Sequence, residues 1–310
     1  MDRDERWRNG MSRRAWLRLA FGAGVAAMTS TSAAAATIRR PIPRSGEMLP
    51  VIGLGTYQAF DVGGAESERE PVREVLREFA RRGGSVVDSS PMYGESEGVI
   101  GDLATELGVS PKLFLATKVW TTGRDDGIRQ MEQSFRRMRT QRMDLMQVHN
   151  LLDWRTHLAT LRAWKEQGRV RYIGITHYTA TAYDELARVL RSEELDFVQL
   201  NYSIIERDAE QRLLPLAAER RVAVLVNRPF AEARLFNRVR GKALPPWAAE
   251  IGCNTWAQFF LKFVVAHPAV TCAIPATSKA KHLVDNMQAG VGPLPDESTR
   301  ARMARYLEQI

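Results

Sequence analysis

Between residues 51 and 274 the chain repeats one pattern: a short apolar run rich in β-branched residues, then a longer amphipathic segment. This alternation is the sign of βα units on a parallel sheet. A strand covered on both faces reads as an apolar run, whereas the helix that covers it needs only one apolar stripe. Candidate strands fall at 51–55, 85–88, 112–117, 145–149, 170–175, 197–200, 222–226 and 270–274, eight in all. Val72, Val75, Leu76, Phe79 and Ala80 form an i, i+3, i+4, i+7, i+8 stripe with Arg and Glu opposite, and similar stripes run through 131–138, 158–164, 186–190, 213–218, 256–264 and 283–287. Length alone permits one domain or two. Eight strand–helix repeats without a linker point to one α/β domain, a closed (β/α)8 TIM barrel, which typically takes about 250 residues. Pro41, Pro43, Ser45-Gly46 and Pro50 predict a small hairpin over 38–50 that closes the barrel floor. The stretch 294–310 predicts a terminal helix, and 227–249, with Pro229, Pro245 and Pro246, a long loop over the active face.

The first 36 residues are set apart from this repeat. They hold a charged start, Ser12-Arg13-Arg14-Ala15-Trp16-Leu17-Arg18, an apolar run to Met28 and small residues through Ala36. The order is that of a cleaved export signal, and the arginine pair resembles a twin-arginine address read by export machinery. The run from 15 to 28 still carries Arg18 and is too short to span roughly 30 Å of hydrocarbon, so no stable membrane anchor is expected. The expected division is therefore a signal peptide over 1–36 and a barrel over 37–310, exported to a bacterial periplasm. Within the signal, Gly22-Ala23-Gly24-Val25-Ala26-Ala27 imitates a dinucleotide fingerprint, but no strand precedes it. Composition excludes other classes. The net charge of +8 arises from 44 basic and 36 acidic residues without a block of five like charges, so no nucleic-acid arm is present. Two cysteines, Cys253 and Cys272, make no disulfide scaffold, and the five histidines lack metal-ligand spacing.

In barrels of this kind chemistry sits where strands end, because the strand-to-helix loops converge on that rim. The second strand ends in Asp88, with Tyr93 five residues on; the third ends at Lys118 and the fourth at His149. Singly, Asp88 reads as a helix cap, Tyr93 as rim packing, Lys118 as a solvated charge and His149 as a core histidine. Together they form a proton-transfer set, in which an ammonium beside a phenol lowers the phenol's pKa and a carboxylate orients the ammonium.

With these residues in place, the chain resembles the aldo-keto reductases over nearly all of 45–290, through Gly53-Leu54-Gly55-Thr56-Tyr57, Val87-Asp88 with Tyr93-Gly94, Ala116-Thr117-Lys118-Val119-Trp120 and the run 168–175. The resemblance implies NAD(P)H-dependent reduction of aldehyde or ketone carbonyls to alcohols. Tyr93 would be the general acid, Lys118 and Asp88 its support, and His149 the group that orients the carbonyl oxygen. Tyr57 and Trp120 would wall the pocket of a small carbonyl substrate, and the protein would act as a monomer. The cofactor set implied is Gly55, Thr56, Thr176, His177, Gln199, Asn227, Arg228, Pro275, Thr277, Ser278, Lys279, His282 and Asn286, with no metal.

Parts of that set depart from the family. Thr176-His177 stands where Ser-Asn is usual after the fifth strand. Asn227 stands where an aromatic residue commonly stacks on the nicotinamide, and Ala276 and His282 replace basic residues that grip the 2′-phosphate, with Lys279, Lys281 and Arg228 as substitutes. NADP(H) is favoured, with NAD(H) as the alternative. Two other readings stand beside the reductase: a nucleotide-binding or sensing barrel with little turnover, motivated by Asn227 and His177, and a non-redox isomerase or lyase using the same four polar residues.

Overall fold

The computed structural model describes residues 36–310; the expected signal segment lies outside the described residues, apart from Ala36. Two short strands, β1 (Arg39–Pro41) and β2 (Met48–Pro50), pair as an antiparallel hairpin. Eight parallel strands follow: β3 (Leu54–Gly55), β4 (Val86–Asp88), β5 (Phe114–Val119), β6 (Met143–His149), β7 (Val170–Thr176), β8 (Phe197–Asn201), β9 (Ala223–Asn227) and β10 (Cys272–Ala273). Each pairs with the next in sequence order. The ring closes where Gly53 N–H donates to Ala273 O at 2.8 Å, Ala273 N–H to Val51 O at 2.9 Å and Gly55 N–H to Pro275 O at 3.1 Å. That closure explains the Gly53-x-Gly55 spacing. A Cβ at Gly55 would stand only 2.7 Å from Ile274 O, so the first and last strands approach there as bare backbone, and one at Gly53 would stand 2.9 Å from Val86 O of β4.

Helices alternate with the strands: α1 (Glu66–Arg81), α2 (Ser96–Glu106), α3 (Arg124–Arg137), α4 (Trp154–Glu166), α5 (Tyr183–Ser192), α6 (Leu213–Glu219), α7 (Arg234–Arg238), α8 (Trp256–Ala266), α9 (Ala280–Gln288) and α10 (Glu297–Glu308). The α1 stripe is buried as its spacing demands, through Val72, Val75, Leu76 and Phe79, with Glu66 and Glu68 in the first turn and Arg81 in the last to suit the helix dipole. Thr255 caps α8 by accepting from Gln258 N–H, and Asp296 caps α10 by accepting from Thr299 N–H.

Three differences from the sequence reading have physical causes. The first and last barrel strands are only two residues long, because closure runs through single bridges, Ile52 to Ala273 and Gly55 to Ala276. Helix α2 follows β4 in a stretch where the sequence reading names no stripe; it buries Val99, Ile100, Leu103 and Ala104 together with Ser96, Glu97 and Gly101. The expected loop over 227–249 holds α7 and leads into a 3-10 turn, Pro246–Ile251. Leu235 there is buried, and Phe236 packs on Phe230 at 4.9 Å and on Phe260 of α8 at 5.9 Å, so the segment's apolar groups face the helical ring.

Strand parity separates the two cores. Outward positions such as Val87, Val119, Met146, Val148, Ile173, Val198 and Val224 join the helices, whereas Val86, Phe114, Ala116, Leu145, Tyr172, Phe197, Leu225 and Cys272 fill the barrel. The rings of Phe114, Tyr172 and Phe197 lie 5.6 to 5.9 Å apart, and Ile42 and Leu49 of the hairpin segment join them to plug the floor. Cys253 and Cys272 are both buried free thiols.

Candidate active site

The same parity that fills the floor with aromatics continues to the strand ends. Counting by twos from Val86, Ala116, Leu145, Gly174, Phe197 and Leu225 gives Asp88, Lys118, Gln147 and His149, Thr176, Gln199 and Asn227. Cross-strand register places Lys118 opposite Gln147, His149 opposite Thr176, and Thr176 opposite Gln199. The upper barrel is thus filled by polar groups that must satisfy one another.

Asp88 is their hub. Its Oδ2 accepts from Lys118 Nζ at 2.7 Å, and its Oδ1 accepts from Gln199 Nε2 at 2.8 Å and Gln147 Nε2 at 3.1 Å. Lys118 is fully buried and also donates to Ser89 O at 2.6 Å. Burial alone would lower its pKa, but the charge of Asp88 and the neighbouring phenol of Tyr93 outweigh burial and raise it, so the ammonium stays charged.

Tyr93 is half-buried on the loop between β4 and α2, and Lys118 Nζ lies 5.0 Å from its ring centroid. Contrary to the expectation of a depressed phenol pKa, Tyr93 lies above its ordinary value. Burial pushes it up, Lys118 pulls it down without cancelling that, and Asp88 adds to the rise. His149 stands edge-on to Tyr93, with ring centroids 6.0 Å apart. Burial first, then the charge of Lys118, press its pKa down to about 2, so the imidazole is neutral. Ser90 Oγ lies 3.1 Å from His149 Nδ1 and accepts from Met92 N–H at 3.4 Å. With Ser90 as the donor to Nδ1, the imidazole proton stands on Nε2.

Tyr57 and Trp120 are exposed at the rim; their rings lie 5.0 Å from Tyr93 and 6.2 Å from His149 respectively. The four expected catalytic side chains and both expected walls are thus gathered at one mouth. Ser90 and Gln147 were not singled out from sequence. Gln147 had a signal, lying two residues before His149 on the same strand face; Ser90 had none beyond its nearness to Asp88.

The expected cofactor residues fall into two groups. Gly55, Thr56, Thr176, His177, Gln199 and Asn227 surround the mouth. Thr56 is buried, with Oγ1 donating to Asp88 O at 3.1 Å, and Thr176 Oγ1 donates to Gln199 Oε1 at 3.3 Å. His177 Nδ1 accepts from Tyr178 N–H at 3.0 Å, and its ring stacks on Tyr178. The second group, Pro275, Thr277, Ser278 and Lys279, leads from β10 into the N-terminus of α9, where His282 is exposed in the first turns and Asn286 is buried. No side chain caps that helix start. Arg228, expected as a substitute phosphate ligand, pairs with Glu232 at 2.9 Å and donates to Tyr178 O at 2.9 Å.

Comparison with known proteins agrees with this arrangement. The methylglyoxal reductase YeaE of Escherichia coli (strain K12) is 28% identical over 256 residues, 80% of this chain and 88% of that protein. An aldo/keto reductase from Klebsiella pneumoniae, solved in complex with NADP and acetate, is 26% identical with a TM-score of 0.72, the match covering 84% of this chain and 93% of that one. An aldo-keto reductase from Klebsiella pneumoniae in complex with NADPH is 25% identical with a TM-score of 0.71, over 88% of this chain and 95% of that one. The Aldo/keto reductase family profile matches residues 51–303. Matched from ahead of its first barrel strand into its final helix, the chain belongs to the aldo/keto reductase family.

Proposed function

We propose that this protein reduces small aldehydes or ketones to alcohols with NADP(H), using Tyr93 as the proton donor. The observation that carries the reading is the stack of a charged Lys118, paired to Asp88, beneath the Tyr93 ring, with a neutral His149 beside it. The methylglyoxal reductase relative supports a small carbonyl substrate, and the NADP and NADPH complexes of the Klebsiella proteins support the nucleotide. The residues present fit such a group. An uncapped helix start at α9 with Lys279 and Lys281 suits phosphates, and Asn227 Oδ1 at the mouth is a buried acceptor without a partner.

A bound reduced nicotinamide supplies the hydride. The chain's own residues do the rest. Tyr93 gives its proton to the carbonyl oxygen as negative charge develops there, and Lys118 stabilises the phenolate that remains. The Nε2–H of His149, fixed by Ser90, is a preorganised donor to the same oxygen. Tyr57 and Trp120 form the apolar walls that exclude water from the substrate.

Tyr93→Phe tests the assignment. We expect the rate of carbonyl reduction to fall by about 10²–10⁴-fold, with nucleotide affinity by fluorescence titration unchanged. Full activity in that variant would sink the mechanism, and tight binding without turnover in the wild type would favour the sensing reading.

We further propose that residues 1–36 are a twin-arginine export signal, that 37–310 is the mature barrel and that it works as a monomer in a bacterial periplasm. Support comes from the sequence pattern and from contacts at the start of the expected mature segment: Thr37 bridges Val291, and Ile38 N–H donates to Gly290 O at 2.7 Å.

A further inference from the structure

Tyr93 stands on a loop, not on a strand, so the aim of its hydroxyl depends on what holds that loop. Its own main chain is tied on both sides, the N–H donating to Ser90 O at 3.0 Å and the carbonyl accepting from Ser96 N–H at 3.1 Å. Between these ties lies Gly94, with φ at +56° and no side chain, the loosest joint in the loop. The peptide that links Gly94 to Glu95 is gripped by two side chains of opposite charge. Its carbonyl, Gly94 O, accepts from Arg137 Nη1 at 3.0 Å, and its N–H, on Glu95, donates to Asp61 Oδ1 at 2.9 Å. Arg137 is the last residue of α3, and Asp61 lies on the connection from β3 to α1. One planar group is thus held at both poles from two separate elements, and it cannot turn about the Gly94 ψ and the Glu95 φ without breaking one of the bonds.

Glycine and carboxylate are fitted to each other here. A Cβ at position 94 would stand 2.1 Å from Asp61 Oδ1, so the carboxylate occupies the space that a side chain would take. Asp61 is itself firmly placed: Ala59 N–H and Phe60 N–H both donate to Thr56 O at 3.0 Å, and Phe60 is fully buried. The same short segment carries Tyr57, whose ring lies 5.0 Å from that of Tyr93. We propose that Asp61 is a positioning residue for the proton donor: with Arg137 opposite, it locks the Gly94 joint and keeps the Tyr93 hydroxyl aimed at the carbonyl oxygen. The inference rests on the reductase reading and adds to it the group that aims the acid. Proton donation is the step that needs such a lock, since a misplacement of about 1 Å can cost a hundredfold in rate.

The test measures kcat and KM for aldehyde reduction, nucleotide affinity and Tm in the full chain. Asp61→Ala removes the acceptor and is expected to lower kcat by about ten- to a hundredfold, with KM, nucleotide affinity and Tm close to the wild type. Asp61→Asn keeps an oxygen for the Glu95 N–H and is expected to recover most of that loss. Added to Tyr93→Phe, Asp61→Ala is expected to lower the residual rate no further, because the acid it aims is already gone. A merely structural role would instead lower Tm and reduce the residual rate of the Tyr93→Phe protein as well. Wild-type kcat in Asp61→Ala, an Asp61→Asn no better than Asp61→Ala, or a full further loss in the double variant overturns the assignment of Asp61 and leaves the reductase reading standing. A wild type that reduces no carbonyl overturns the reductase reading, and the assignment with it.

Discussion

His149 and Tyr93 divide the proton work between them because their surroundings push them the same way, away from charge. The imidazole, with its pKa near 2, gains no proton across the working range, so it serves as a fixed donor. The phenol, pushed up by burial, keeps its proton to high pH. In the reducing direction both groups are in their active form from acid to mildly alkaline solution, so kcat/KM for carbonyl reduction should be flat between about pH 6 and 9, given an unperturbed Tyr near 10. Alcohol oxidation needs the phenolate and should still be rising at the top of that range. Profiles of kcat/KM in both directions check this, and a limb near pH 6.5 in reduction would show that His149 titrates after all. At this scale Asp88, Tyr93, Lys118 and His149 were legible because strand ends are countable. The direction of the Tyr93 shift was not, because sequence names the charges near a phenol but not the depth at which it is held. Ser90 was equally hidden, since its role depends on the bond to His149.

The elements were read best where one face had to be apolar. Helix α1 announces itself by its stripe, and β5 to β9 by their runs. Helix α2 was harder to read because Ser96, Glu97 and Gly101 share its buried face with Val99, Ile100 and Leu103: a Cβ on Gly101 would stand 2.1 Å from Arg137 O, so α2 meets the end of α3 as bare backbone. Between them lies Glu97, 1% exposed, accepting from Thr117 Oγ1 at 2.5 Å, with Oε2 unpartnered. Burial raises its pKa, against opposing help from Thr117, Ser134 and Arg137. A carboxyl whose folded pKa is raised adds stability below its unfolded value, near 4.3, and loses it as pH rises through the folded value. Glu97→Gln keeps the shape without the charge. It should raise Tm by about 3 °C at pH 8, the shift that ~1 kcal/mol produces in a chain of this size, and by much less at pH 5. Calorimetry at the two pH values decides; an equal gain at both would place the effect in packing. The same helix positions Thr117, next to Lys118, so the variant also reports whether the site tolerates a neutral neighbour.

The barrel has one closed end: the hairpin segment seals the floor with Ile42 and Leu49, and the polar strand ends Asp88, Lys118, His149, Thr176, Gln199 and Asn227 lie at the other. Thr37 and Ile38 are bonded to Val291 and Gly290, and we expect residues 37–310 to melt at the same temperature as the full chain. Replacing Arg13 and Arg14 by Lys should leave the protein in the cytoplasm without changing that temperature, as fractionation and calorimetry would show. Normal export of the paired-lysine variant would remove the twin-arginine reading. That the chain forms one barrel was evident from the count of its repeats; how the barrel shuts was not, because the bridges that close it involve only a few residues. One consequence concerns the cargo. Aldehydes condense with free amines, and Lys118, one of seven lysines in the chain, lies at the base of the pocket proposed to take them. Lys118 is fully buried, bonded to Asp88 and to the Ser89 carbonyl, and held charged. An ammonium so held has no lone pair to offer, so Lys118 can stand beneath a reactive carbonyl without condensing with it.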